Sequence, residues 1–153
     1  MPKTYHQIYI HAVFAVKYRA AVIEPEWSQH LFHMIARFIN ETGARVAIVN
    51  GVYDHVHCLF SVKTTHSVAK IMQYAKGKSS KWLNEQSFLE HYFEWQQGYG
   101  AFSCSADRIK NVYRYIENQE IHHQQMTFKE EFISFLDKNF IDYEEQSIPN
   151  DLM

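Results

Sequence analysis

Residues 44–63 read ARVAIVNGVYDHVHCLFSVK, and this stretch decides the fold that we predict. Two runs rich in branched and aromatic residues, 44–50 and 55–63, flank the turn Gly51-Val52-Tyr53-Asp54, which is the pattern of a β-hairpin. Side chains in a strand alternate between its two faces, so one face of the second run is apolar and the other carries His55 and His57. The apolar row, which we expect to face the core, is Val56, Cys58, Phe60 and Val62.

Strands and helices alternate on either side of this hairpin. Alternation of apolar residues indicates strands, and helical spacing between a capping residue and a glycine indicates helices. The resulting order, β-α-β-β-α-β followed by two helices, predicts an α+β protein with a ferredoxin-like split βαβ sheet and added C-terminal helices. The predicted elements are a strand at 5–16, a helix from Pro25 to Gly43, the hairpin, a helix from His66 to about Leu83, a strand at 98–105, a helix from Ser105 or Asp107 to about His122, and a last helix that starts at the capping box Thr127–Glu130.

Composition places the chain among globular proteins of one domain. It has 153 residues, of which 46% are hydrophobic and 21% charged, and a formal net charge of −2. We expect one domain over residues 1–153, with 143–153 as a flexible tail. No apolar run approaches the ~20 residues of a membrane span. The start lacks a signal peptide, and the two cysteines form no CxxC pair, so we predict a reduced, cytoplasmic protein with both thiols in the core.

Ten histidines stand out in this composition, and the pair on the third strand is the sharpest signal among them. His55 and His57 present two imidazoles side by side from a rigid strand, an arrangement that suits a divalent cation. The alternative is two histidines on a solvent-facing strand. His11 lies on the polar face of the first strand and could approach this pair.

A second signal lies on the predicted third helix. Tyr115 and Gln119 are four residues apart, so they sit one above the other beside the apolar stripe of that helix, and His122 continues the line. A phenol and an amide oxygen projected together can serve as a nucleophile and a metal ligand. The alternative is that Tyr115 is one of ten tyrosines and is half-buried beside the stripe.

Together the two signals form a pattern that resembles a known family. His55-Val56-His57 is a histidine–hydrophobe–histidine (HUH) motif, and with Tyr115-x-x-x-Gln119 on a later helix it is similar to the single-tyrosine transposases of the smallest bacterial insertion sequences. The similarity extends over about residues 5–135. Its further segments are Lys17-Tyr18-Arg19, Lys76-Gly77-Lys78-Ser79-Ser80, Gly98-Tyr99-Gly100-Ala101-Phe102-Ser103 and His122-His123.

The resemblance implies a role for each matching residue. His55, His57 and Gln119 would bind Mg²⁺ or Mn²⁺, and Tyr115 would attack DNA and form a 5′-phosphotyrosine linkage with a free 3′-OH on the other piece. A cation on the phosphate lowers the barrier to attack, and the phenol, with an ordinary pKa of about 10, needs that help. His122 is the candidate base. The implied substrate is single-stranded DNA with hairpin ends, and the implied assembly is a homodimer whose active sites are completed in trans.

The net charge of the chain is slightly negative and would not attract DNA. We therefore expect local groups of lysine and arginine side chains to make the DNA contacts. Two alternatives remain open: a ferredoxin-like module that binds nucleic acid without catalysis, and an HUH nickase of the replication or relaxase type. We expect no membrane partner. The predicted DNA-binding residues are Lys17, Arg19, Lys76, Lys78, Ser79 and Lys81, with Tyr18, Tyr74 and Tyr99 as surfaces on which bases could stack.

Overall fold

The computed structural model describes residues 2–17 and 22–148, and these form an α+β fold around one antiparallel sheet. The strands in the described ranges lie in the order β2-β3-β1-β4, which is the ferredoxin-like arrangement predicted from the sequence. Their bounds are β1 Ile8–Ala15, β2 Arg45–Gly51, β3 His55–Val62 and β4 Gly100–Cys104, and the helices are α1 Pro25–Glu41, α2 Val68–Glu85, α3 Ile109–Glu117, α4 Gln119–His122 and α5 Phe128–Lys138.

One face of the sheet is covered by α1 and α2. The predicted apolar row of β3 is buried there, together with Phe14 of β1, Leu31 of α1 and Met72 of α2. Helix α1 begins with Pro25 in its first turn, and Gly43, with φ of +95°, follows its end, as the sequence indicates. This layer is the main core and fixes which side chains of β3 point the other way.

The opposite face, which carries the two histidines, is covered by the C-terminal helices. Val13 and Ala15 of β1 pack there against Phe132 and Leu136 of α5 in a second apolar cluster. The paired histidines therefore lie between two layers and not on an open surface, and both have no exposed area. Helix α5 begins at Thr127, whose side chain forms the predicted capping box.

The structure departs from the sequence predictions in several respects. Strand β1 starts at Ile8 and not at residue 5. The predicted third helix is interrupted at Asn118, because the Asn50 side chain donates to carbonyl oxygens at the end of α3. The predicted tail contributes Ile148, which is buried in the second cluster, and of the two thiols only Cys58 is fully buried.

Within the described ranges, every helix is too short or too polar to cross a lipid bilayer.

Candidate active site

The centre of the site is the histidine pair on β3. The ring centroids of His55 and His57 are 5.1 Å apart, and both rings are fully buried. Antiparallel pairing aligns Val13 of β1 and Asn50 of β2 with His57, so the sheet fixes the pair from both sides. A buried imidazole needs a partner for each ring nitrogen, and the neighbours of each ring therefore define the site.

The Nδ1 atom of each β3 histidine has a partner away from the centre. His55 Nδ1 lies 2.7 Å from Asp54 Oδ1, and His57 Nδ1 lies 2.8 Å from His11 Nε2. These contacts direct both Nε2 atoms toward the C-terminal helices. His11 approaches the pair as the sequence suggested, although as a neighbour of His57 and not as part of the central cluster.

Tyr115 and Gln119 reach the histidine pair from α3 and α4. The Tyr115 ring centroid lies 6.0 Å from that of His57, and Gln119 Oε1 lies 3.2 Å from His55 Nε2. The structure thus brings together the four residues that sequence predicted as nucleophile and ligands. His122 stacks on the face of the Tyr115 ring at 4.4 Å between centroids, while the Tyr115 hydroxyl donates a hydrogen bond to Glu131.

Glu131 of α5 occupies the middle of the site, and sequence reasoning missed it. Its Oε1 atom lies 2.8 Å from His57 Nε2 and 3.2 Å from His55 Nε2, while Oε2 accepts hydrogen bonds from the Tyr115 hydroxyl and from Gln119 Nε2. A detectable signal was present in the sequence. Glu131 sits three residues after Phe128 and four before Phe135, on the apolar stripe of α5, where an acidic residue is out of place unless it is paired.

His123 is a further donor to which the sequence analysis gave no role, although it named the segment His122-His123. Its Nε2 atom lies 3.2 Å from Glu131 Oε1. One donor atom from each of His55, His57, His123 and Glu131 lies within 4.8 Å of every other. Three imidazole nitrogens and a carboxylate oxygen at this spacing are a chemically suitable set for a divalent cation.

Burial governs the protonation of the histidines. Burial and the neighbouring His57 lower the pKa of His11 to about 3. Burial also lowers the pKa of His57 to about 4, although Glu131 opposes this shift. For His55, burial is outweighed by Asp54 and Glu131, which raise its pKa. The same buried site therefore shifts the pKa of His55 upward and the pKa values of His57 and His11 downward.

The two oxygen acids shift in opposite directions. Burial, followed by the negative charge of Glu131, raises the pKa of Tyr115 well above its usual value, so the phenol keeps its proton at neutral pH. Burial would raise the pKa of Glu131, but the surrounding histidines, His57 foremost, hold it well below its usual range. Glu131 is therefore an anion that accepts the Tyr115 proton in a hydrogen bond.

The predicted DNA-binding residues of α2 lie on the opposite side of the sheet from this site. Lys78 and Lys81 are exposed, but Lys76 Nζ donates to the carbonyl oxygens of Gln96 and Gly98 and so tethers that loop. Ser79 is fully buried and hydrogen-bonds Trp95, so it is not presented to a ligand, which corrects the sequence prediction.

The remaining cations predicted to bind DNA belong to the segment after β1. Lys17 lies 3.6 Å from Glu94. Arg19 and the neighbouring Tyr18 lie outside the described residues.

A ferredoxin-like sheet that carries an HUH pair, faced by a tyrosine and a glutamine four residues apart, defines the HUH single-tyrosine transposases. The model of the family described as "Transposase IS200 like" matches residues 4–119, which include all four of these side chains. The chain therefore belongs to the IS200-like transposases and is an HUH-type transposase enzyme, as the sequence resemblance indicated.

Individual relatives agree with this assignment. The transposase for insertion sequence element IS200 of Salmonella typhimurium is 30% identical over 115 residues, which cover 71% of this chain and 74% of that protein. The ISDra2 transposase TnpA of Deinococcus radiodurans is 24% identical over 121 residues, covering 74% and 85% respectively. A REP-associated tyrosine transposase, solved bound to a REP hairpin, shares the fold with a TM-score of 0.60 at 11% identity, covering 98% of this chain and 91% of that one.

Proposed function

We propose that this transposase cleaves and rejoins single-stranded DNA at hairpin-bearing element ends, with a divalent cation, Mg²⁺ or Mn²⁺, and a covalent 5′-phosphotyrosine intermediate on Tyr115. One observation carries the proposal. The Tyr115 hydroxyl, the only protonated oxygen nucleophile among the site residues named above, donates to a carboxylate that also contacts both HUH histidines. The nucleophile and the side chains that would bind the cation therefore lie in one site.

The residues of the site divide the work of cleavage among them. His55, His57 and Gln119 would hold the cation, which when bound withdraws charge from the scissile phosphate. Tyr115 Oη forms the new bond to phosphorus and loses its proton to water, while Glu131 Oε2 accepts the hydrogen bond that orients the hydroxyl before attack. The bond from phosphorus to the 3′ oxygen breaks, and that oxygen takes a proton from water. The phosphotyrosine ester conserves the free energy of the broken phosphodiester bond. A 3′-OH of DNA can therefore attack the phosphotyrosine and rejoin the strand without ATP.

A cavity beside Tyr115 supports access of DNA to the nucleophile. It has a volume of about 330 Å³ and is lined by Tyr115, Glu131, Arg108 and Lys138, among others. Two cations at the mouth of a site with an anionic substrate favour the approach of a phosphate backbone. We propose that the scissile strand enters here, while the exposed Lys78 and Lys81 bind another part of the DNA. The hairpin in the related REP-associated structure supports a folded strand as the substrate.

The arrangement of subunits is a separate question. The resemblance implies a homodimer in which the tyrosine of one chain completes the site of the other. The structure describes one chain, and in it the Tyr115 ring lies 6.0 Å from the His57 ring of the same chain. Mixing Tyr115→Phe and His57→Ala chains decides between the two: restored cleavage means that sites are shared, and no restoration means that each chain acts alone.

The direct test is formation of a covalent adduct. Labelled single-stranded DNA with a candidate hairpin is incubated with the protein and Mn²⁺, and the products are separated under denaturing conditions. We expect a labelled protein band that disappears in Tyr115→Phe. Tyr113→Phe is the matched control, since Tyr113 lies on the same helix and is more exposed. Binding without any adduct would contradict the proposal and favour a non-catalytic nucleic-acid module.

A further inference from the structure

Each buried imidazole that faces Glu131 is held by a partner on its Nδ1 atom. Asp54 holds His55, and the carbonyl oxygen of Met126 lies 2.9 Å from His123 Nδ1. Since a carbonyl oxygen can only accept a hydrogen bond, His123 Nδ1 carries the proton, and in the neutral ring Nε2 is left with a lone pair. This arrangement is typical of metal-binding histidines, in which one nitrogen is anchored and the other coordinates.

The His123 Nε2 atom lacks the partner that a buried nitrogen requires. It is buried and makes no hydrogen bond, although it lies 3.2 Å from Glu131 Oε1. A buried polar atom without a partner costs about 1–3 kcal/mol, so an atom of this kind in a well-packed site calls for a ligand. Its lone pair faces the same oxygen as the Nε2 atoms of His55 and His57.

Glu131 ties these three nitrogens together. Its Oε1 atom lies within 3.2 Å of all three Nε2 atoms. At this spacing one cation bound by the oxygen and the nitrogens can take the place of the hydrogen bonds between them. Its side chain is almost fully buried, with the negative charge facing the imidazoles. An anion in this place lowers the cost of bringing a divalent charge into the core.

We infer that His123 and Glu131 are ligands of the metal site, in addition to the histidine pair, and that this site takes a transition-metal ion such as Mn²⁺ in preference to Mg²⁺. The inference rests on the proposed metal dependence of this transposase. Imidazole nitrogen suits transition ions, whereas Mg²⁺ prefers oxygen ligands and keeps several waters. Both added ligands lie beyond residue 119, where the family match ends: His123 directly follows α4, and Glu131 lies on α5.

The test measures metal binding and not cleavage. Metal-free full-length protein is titrated with Mn²⁺, and free Mn²⁺ is followed by electron paramagnetic resonance. We expect Glu131→Gln and His123→Ala each to raise the Kd for Mn²⁺ by at least about tenfold, the scale seen when a metal site loses a supporting residue. Added Mg²⁺ at a large excess should displace little Mn²⁺ from the unmodified protein.

Matched controls remove the same groups elsewhere. Asp137→Asn deletes an exposed carboxylate from the same helix, and His91→Ala deletes an exposed imidazole; both should bind Mn²⁺ like the unmodified chain. Equal Mn²⁺ affinity in Glu131→Gln, His123→Ala and these controls would overturn the inference, as would ready displacement by Mg²⁺.

A measurement on the unmodified chain covers the case in which a variant fails to fold. Zn²⁺ is added as a diamagnetic probe to protein with ¹⁵N-labelled histidine rings, and the ring nitrogen resonances are followed by NMR. Shifts at the Nε2 atoms of His55, His57 and His123 support the inference, and an unshifted His123 overturns it. Neither measurement uses DNA. Failure to cleave DNA would therefore not contradict the proposed ligands, and a result showing that His123 and Glu131 are not ligands would not contradict the proposed cleavage.

Discussion

Asn50 connects the sheet to the helix that carries the nucleophile, and its removal should loosen that helix. Asn50 pairs with His57 across β2 and β3, and its Nδ2 atom lies 2.9 Å from the carbonyl oxygen of Ile116 and 3.1 Å from that of Glu117. These carbonyls directly follow Tyr115. Each hydrogen bond contributes about 0.5–1.5 kcal/mol net, so Asn50→Ala should lower the free energy of unfolding by about 1–3 kcal/mol.

The effect on chemistry should exceed the effect on folding. A nucleophile displaced by about 1 Å can react about 100-fold more slowly, so we expect single-turnover adduct formation in Asn50→Ala to slow by about 10- to 100-fold. Urea unfolding and the rate of adduct formation are measured on the same preparation, under conditions in which the variant is folded.

Asn40→Ala is the matched control for this prediction. Asn40 Oδ1 accepts a hydrogen bond from the backbone of Val46 at 3.0 Å, on the other side of the sheet from Tyr115. This variant should lose about 0.5–1.5 kcal/mol of stability with no change in the adduct rate. If Asn50→Ala forms the adduct as fast as Asn40→Ala does, Asn50 does not position Tyr115 and the reasoning is refuted.

Two further predictions concern DNA binding and acid stability. Arg108→Ala and Lys138→Ala should each weaken single-stranded DNA binding and reduce the slope of log K against log salt by about 0.7, measured by fluorescence anisotropy; an unchanged slope would mean that the cavity beside Tyr115 does not bind phosphate. The pKa of His11 is about 3 in the fold against about 6.5 when unfolded, so between these values the unfolded chain binds more protons, and metal-free protein should lose stability as the pH falls below about 6.5. His11→Gln should reduce this loss by about 1 kcal/mol per pH unit in urea unfolding at pH 7 and pH 5, and an identical pH dependence in the two proteins would contradict the assignment.

The fold was predictable because its signals are local. The period of two in β3, the proline and glycine at the ends of α1 and the capping box of α5 each depend on a few neighbouring residues. The interruption at Asn118 was not predictable, since it depends on hydrogen bonds from Asn50, which is more than sixty residues away in sequence. The burial of the histidine face was missed for a similar reason, because it requires knowing where α5 docks.

The site was predictable only to the extent that its motifs lie close in sequence. His55 and His57 form one short spacing and Tyr115 and Gln119 another, so each pair was visible locally, and the family resemblance joined the two pairs into one site. Glu131 comes from a different helix and its only local signal was an acid on an apolar stripe. The candidate base was assigned to His122 for its place on the helical line, but in three dimensions its ring stacks on Tyr115 and the hydroxyl turns to Glu131.

The central claim is that Tyr115 becomes joined to the 5′ phosphate of cleaved DNA. The most direct measurement is to isolate the covalent protein–DNA species, digest both components, and locate the nucleotide-bearing residue by mass spectrometry. We predict a phosphodiester remnant on the peptide that contains Tyr113 and Tyr115, with fragment ions that place it on Tyr115. A remnant on Tyr113 or on any other residue, or no covalent species with hairpin DNA and Mn²⁺, would contradict the account.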